Sequence, residues 1–174
     1  PIPVYRVLSN GGQSPVAAIP SSGAILERPA LAVLPLTNMS GDPEQEYFAD
    51  GLTEDLITAL AAWRSFPVIA RNSTFAYKGT SQDVRQVASE LGARYILKGS
   101  VRKGGNRVRI TAQLIDASSG HHVWAERYDR VLDDVFAVQD EITLRIAAPI
   151  EPAVGKIERK RSVVKPEKSL DAWD

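Results

Sequence analysis

The run RVRITAQLID, from Arg107 to Asp116, constrains the fold more than any other stretch. Val108, Ile110, Ala112 and Leu114 alternate with Arg107, Arg109, Thr111 and Gln113, the period of a strand with one dry face and one wet face. Such a strand needs partners at its edges and a layer on its dry side. Gly104, Gly105 and Asn106 precede it and supply the backbone angles of a tight hairpin. DASSGH follows it as a second turn, so ARYILKGSVRKGG and HVWAERYD read as neighbouring strands. The Gly-rich turn is not a phosphate loop, because no Gly-Lys-Ser/Thr ending and no helix follow it.

Upstream the pattern changes to alternating strand and helix. ALAVLPL is apolar on both faces and predicts a strand in the middle of a sheet, with Val33, Leu34 and Leu36 in the core. Asp42 before Pro43 predicts a helix cap with proline at the first position, and Gln45 is placed to complete a capping box. Phe48, Leu52, Leu56, Leu60 and Trp63 then mark the packing face, with a break at Gly51 and a second cap at Thr53 as the alternative. FPVIAR predicts a second buried strand, parallel to the first through a right-handed crossover. QDVRQVASELG predicts a short helix with Val84, Val87 and Leu91 inward and Gly92 as its stop. A last helix starts at Asp133 or Asp134, carries Val135, Val138, Ile142 and Ile146 on its apolar face, and kinks or stops at Pro149.

Composition narrows the chemistry. With 21 Lys+Arg against 21 Asp+Glu the net charge is zero, which argues against a non-specific polyanion binder. The absence of Cys removes disulfides, thiolate metal sites and Cys nucleophiles together, and fits a reducing compartment. At 174 residues the chain suits one domain with flanking segments. No apolar run approaches the roughly 20 residues of a membrane helix. The stretch SNGGQSPVAAIPSSGAILER, residues 9–28, reads as a flexible connector.

Candidate sites are few. Asp42, Glu44, Glu46, Asp50, Glu54 and Asp55 form an acidic row that suits a helix dipole and solvent better than catalysis or a metal. NSTFAYKGTSQ follows a predicted parallel strand at its carboxyl end, where open α/β sheets bind ligands, so Arg71, Asn72, Ser73, Tyr77 and Lys78 are the small-ligand candidates. Arg102, Lys103, Arg107 and Arg109 beside Trp124 and Tyr128 could form an interaction strip, with a solvated sheet edge as the competing reading. His121 and His122 are adjacent, point to opposite sides of any strand, and read as turn residues. No residue set predicts a catalytic or a metal site.

Taken together, LAVLPLTNMSGDPEQEYFADGLTEDLITAL, FPVIARNSTFAYKG, DVRQVASELGARYILKGSVRKGGNRVRITAQLIDASSGHHVWAERYDR and DDVFAVQDEI closely resemble the TolB-like amino-terminal domain of bacterial multidomain signalling proteins. PIPVYRVL is similar to the end of a class III adenylate/guanylate cyclase domain, and LDAWD to the lead-in of tetratricopeptide repeats. The implied division is residues 1–8 as the end of the upstream domain, 9–28 as linker, 29–150 as the TolB-like domain and 151–174 as a charged linker toward helical repeats. The implied fold is α/β: a mixed five-stranded sheet with helices mainly on one face, in the order β-α-β-α-β-β-β-α.

The resemblance implies a non-catalytic regulatory and protein-interaction module within a cytoplasmic nucleotide cyclase. It implies no cofactor for this module, with ATP and Mg²⁺ belonging to the cyclase domain. The expected partners are the neighbouring cyclase and repeat domains and a second copy, with no nucleic acid and no membrane. A small-ligand sensor, or the same module in a winged-helix transcriptional regulator, is the alternative.

Overall fold

The computed structural model describes residues 29–63 and 66–173, with side chains as far as residue 162. The expectations for residues 1–8 and 9–28, and for the side chains of LDAWD, lie outside the described residues. The elements are β1 (Leu31–Val33), β2 (Thr37–Asn38), α1 (Pro43–Ala62), α2 (Arg71–Phe75), α3 (Val84–Leu91), β3 (Tyr95–Gly104), β4 (Arg107–Asp116), β5 (His121–Val131) and α4 (Val135–Trp173).

They form the expected mixed five-stranded sheet. Its order is β1-β3-β4-β5, with β2 also on β3; β1 and β2 run parallel to β3, and β4 and β5 follow as an antiparallel meander. Two helices, α1 and α4, cover one face, the short α3 packs on the other, and α2 lies against β1.

The composition of the five strands differs in two respects from the sequence expectation. ALAVLPL is not one strand but two short ones, because Pro35 cannot donate to the ladder. From Val33 opposite Leu97 to Thr37 opposite Ser100, four steps on this side match three on β3. The Leu36 N–H inside this bulge donates to Thr53 Oγ1 at 3.0 Å, and that hydroxyl donates in turn to Ala49 O at 2.7 Å. FPVIAR, expected as a full strand, contributes a single parallel bridge between Val68 and Leu31, held by Leu31 N–H to Pro67 O and Ile69 N–H to Leu31 O.

The α1 helix begins as its sequence predicts, with the Asp42 carboxylate accepting from Glu44 N–H and Pro43 in the first turn. Gln45 does not complete the box: its side chain is buried and Oε1 has no hydrogen-bond partner among the described residues. The helix runs through Gly51 unbroken. A Cβ there would stand 2.7 Å from Gln139 Nε2, which donates to Phe48 O, so Gly51 is where α4 approaches α1. Phe48, Leu52, Leu56 and Leu60 are buried, whereas Trp63, expected on the same face, is exposed at the end of the helix.

The α4 helix does not stop at Pro149. Proline there removes the N–H that would serve the Arg145 carbonyl four residues back. The Tyr128 hydroxyl donates to that carbonyl at 3.2 Å and replaces the lost bond. Asp134 caps the helix, and Val138, Ile142, Ile146, Ile150 and Val154 are buried while Val135 is exposed. The linker expected from residue 151 is therefore part of the packed helix through at least Val154.

Candidate functional site

Three places gather chemistry-bearing side chains. The first is a cavity of about 370 Å³ outside the carboxyl end of β1, walled by Leu34 to Asn38, residues 77–80, the start of α3 and Lys98 on β3. Of the ligand candidates, Tyr77 and Lys78 line it, while Arg71, Asn72 and Ser73 do not. The last three lie exposed on α2, a helix where a loop was expected.

The polar groups here are largely engaged with one another. The Tyr77 hydroxyl donates to Glu90 Oε1 at 2.6 Å, and the Lys78 ammonium lies 2.7 Å from Asp50 and 2.9 Å from Glu46. Hydrogen bonds donated to these carboxylates hold Lys78 above the ordinary lysine range, and the bond from Lys78 holds Glu46 below the ordinary glutamate range. Arg71 pairs with Glu54 at 2.8 Å and stacks its guanidinium 4.1 Å from the centre of the Phe75 ring.

The acidic row of α1 thus clamps residues 71–78 to the helix. Burial, and then Asp140 and Glu54, push the Asp55 carboxyl above its ordinary range. Lys98, which sequence reasoning did not single out, also lines the cavity and has no ion-pair partner among the described residues. The signal for it was its place on the wet face, opposite Gln113.

The second place is the hairpin end, where Arg102, Lys103, Arg107, Arg109 and Asp129 bound an open hollow of about 310 Å³. Arg109 makes a two-pronged contact with Asp129, Nε at 2.8 Å and Nη2 at 3.1 Å, which keeps the Asp129 carboxyl below its ordinary range. Arg102 stands directly across from Arg109 on β3.

The aromatic half of the expected strip is not here. Register pairs Tyr128 with Ile110 and Trp124 with Leu114, so both aromatics lie on the helix-covered face, opposite to Arg107 and Arg109. Tyr128 is buried and Trp124 packs against the main core. The expected joint surface of Arg107, Arg109, Trp124 and Tyr128 is therefore two surfaces, separated by the sheet. His121 and His122 are not turn residues but the first pair of β5, opposite Asp116 and Ile115. The turn is residues 117–120, closed by Gly120 at a φ of +79°.

The third place pins the far part of α4 to the sheet. Glu158 accepts from Arg94 at 3.3 Å and from the Tyr95 hydroxyl, and burial with this carboxylate pushes the Tyr95 hydroxyl up. Arg161 donates to Asp116 and to Ser118 Oγ, both at 2.8 Å. Among the described residues no helix is long and apolar enough to cross a membrane.

Comparison with known proteins places this geometry in context. Residues 27–145 match the family model described as HilA/YgeH-like transcriptional regulator, second domain. A protein of Rhizobium meliloti (strain 1021) named "Putative adenylate cyclase 3" is 58% identical over 137 residues, covering 78% of this chain and 23% of that protein. The chain therefore corresponds to under a quarter of this relative's length.

Among solved structures, TolB from Acinetobacter baumannii superposes with a TM-score of 0.53 at 15% identity, over 73% of this chain and 28% of TolB. A PelC dodecamer subunit from Paraburkholderia phytofirmans superposes at 0.51 with 22% identity, over 70% and 87% of the two chains. These likenesses establish the fold as TolB-like.

Proposed function

The chain belongs to the family of second domains of HilA/YgeH-like transcriptional regulators, and from that premise we propose that it is a non-catalytic regulatory and protein-interaction module of a signalling protein, a cytoplasmic nucleotide cyclase. The observation that carries this reading is the 58% identity to the protein named "Putative adenylate cyclase 3", of which this stretch is only 23%. In this reading the module acts on the neighbouring catalytic domain through contact. Three charged side chains bound across element boundaries support a rigid adaptor: Lys78 to α1, Arg109 to β5 and Arg161 to the β4 end.

In this reading ATP and Mg²⁺ belong to the catalytic domain and the module itself carries no cofactor. Its partners are the cyclase domain, helical repeats and a second copy, without nucleic acid or membrane. The test is cyclase turnover of the full-length parent with and without residues 29–161 at matched concentration. A changed rate or a changed concentration dependence is expected; an unchanged rate under both measures would remove the regulatory role.

The family's own description favours a second reading, the same module in a transcriptional regulator. The two parents separate on one measurement: cyclic-nucleotide production by the full-length protein, present in one and absent from the other.

A further inference from the structure

The β5 strand is the last in the sheet. Its inner edge pairs with β4, and among the described residues nothing pairs with its outer edge. A free edge of 11 residues is a template for another strand unless something covers it. Its carboxyl-terminal half carries Glu126-Arg127-Tyr128-Asp129-Arg130, whose charges complement their own reversal. We propose that this edge pairs antiparallel with the same edge of a second copy, in the register that sets Tyr128 opposite Tyr128 of the second copy.

Symmetry and charge select that register. A two-fold axis normal to a sheet keeps each face on its own side, so directly opposed residues must be of like parity. With Tyr128 on the axis, Glu126 faces Arg130 of the second copy and Arg127 faces Asp129 of the second copy, and each pair occurs twice. Moving the axis to Arg127 or Glu126 sets like charges against each other on it, and moving it to Asp129 or Arg130 does the same. Like charges directly opposed across strands are destabilising and opposite ones stabilising.

The intrachain contacts are compatible with this pairing. Asp129 keeps Arg109 on its inner side and gains Arg127 of the second copy on its outer side. Arg130 keeps both Glu141 oxygens at 2.9 Å and gains Glu126 of the second copy. Glu126 and Arg127 are exposed and have no ion-pair partner among the described residues, so they are free to reach across.

The surroundings of the axis also fit a covered surface. A groove of about 540 Å³ runs between this edge and α4, walled by Trp124, Glu126, Leu144 and Pro149 among others. Leu144 is 68% exposed there, next in sequence to Arg145, whose carbonyl holds the Tyr128 hydroxyl.

The inference gives a surface to the self-association named under the proposed function and rests on that reading only for its place in the parent. Its test uses this chain alone. Sedimentation over a wide concentration range is expected to show a reversible dimer, and Glu126→Arg to raise its dissociation constant roughly tenfold or more. Because Glu126 is exposed, the circular dichroism spectrum of that variant should match the parent chain.

Register is read separately by Ala125→Cys with Val131→Cys, in a chain that has no cysteine of its own. In the proposed register these positions lie directly opposite across the two copies, at strand-pair spacing that a disulfide spans. Along one strand they are about 20 Å apart, so neither single variant can cross-link to itself. Oxidation should yield a covalent dimer from the double variant only. A monomer at every concentration, a dimer indifferent to Glu126→Arg, a double variant that fails to cross-link, or single variants that cross-link equally well would each overturn the proposal. Such a failure leaves the regulatory reading standing, whereas intact dimers with unaltered cyclase turnover would sink that reading and leave this one.

Discussion

The two faces of the sheet are made from the same strands and hold together by different means. On the face under α1 and α4, Val33, Leu97, Val101, Val108, Ile110 and Leu114 are all essentially inaccessible and meet Leu52, Leu56, Ile142 and Ile146. On the other face α3 closes only a small patch around Ala32, Ala88 and Ile96. Beyond it the surface is polar and tied by cross-strand pairs, Ser100 to Thr111 at 2.7 Å and Arg109 to Asp129. Burial of apolar area supplies stability in bulk, whereas partly exposed hydrogen bonds and ion pairs supply little. The stability of the domain therefore resides on one face, and the open face and the free edge are where the sequence can vary its contacts.

The largest effects break or confirm this contrast. Ile142→Ala, on the covered face, is expected to cost about 2–5 kcal/mol, and Thr111→Ala, on the open face, about 1 kcal/mol or less. Denaturant unfolding of both variants measures the difference, and equal costs would refute it. Gly99→Ala comes next. A Cβ at Gly99 would lie 2.1 Å from the Thr111 carbonyl oxygen, which is backbone and cannot swing aside, so β3 must shift against β4. A loss of about 1–3 kcal/mol is expected; a neutral variant would mean that the ladder is looser at its centre than its register implies.

The contrast was only half legible in the sequence. Parity along a single strand is local, so the alternation of Val108 to Leu114 with Arg107 to Gln113 gave both faces of β4 directly. The helix faces apart from Trp63 and Val135, the Asp42 and Asp134 caps and the Gly92 stop were legible for the same reason, since each rests on neighbours in the chain. Parity between strands depends on register. That register is set by the hairpin turns and by a shift between Leu114 and Ile115, and it carried Trp124 and Tyr128 away from Arg107 and Arg109. Two further features lay beyond local reading. The split at Pro35 needed Thr53 as a stand-in partner, and the passage of α4 through Pro149 needed Tyr128. At the candidate cavity, Tyr77 and Lys78 were legible as polar loop residues, but their engagement by Glu90, Asp50 and Glu46 follows from α1 and α3 standing on either side.

Tyr128 sharpens the comparison at its boundary, because it is a covered-face residue whose polar end does a helix's work. Tyr128→Phe keeps the ring and removes the donor to the Arg145 carbonyl, at an expected cost of about 1 kcal/mol. In a Pro149→Ala background the helix regains its own N–H at that carbonyl, so the same substitution should cost markedly less. A double-mutant cycle reads the coupling. Equal costs in both backgrounds would show that the hydroxyl is not replacing the bond that proline removes.

The smallest effect lies at the outer rim, where the covered face meets solvent. Glu141 receives Arg130 through both oxygens and Arg145 through one, at 2.9 Å, and these hydrogen bonds lower its carboxyl from the ordinary 4.5 to about 2. A carboxyl lowered by folding contributes stability above its unfolded value and loses it as pH falls toward its folded value. The contribution of Glu141 is therefore complete at neutral pH and fades between about 4.5 and about 2. Its side chain is 41% exposed, so solvent screening holds the gain to about 1 kcal/mol at most. Glu141→Gln should accordingly lower stability slightly at neutral pH and flatten the acid limb of the stability curve, converging with the parent chain near the lower end of that window. If the two curves stay parallel through it, the ion pairs at this rim contribute nothing that titrates, and the covered face draws no stability from its charged border.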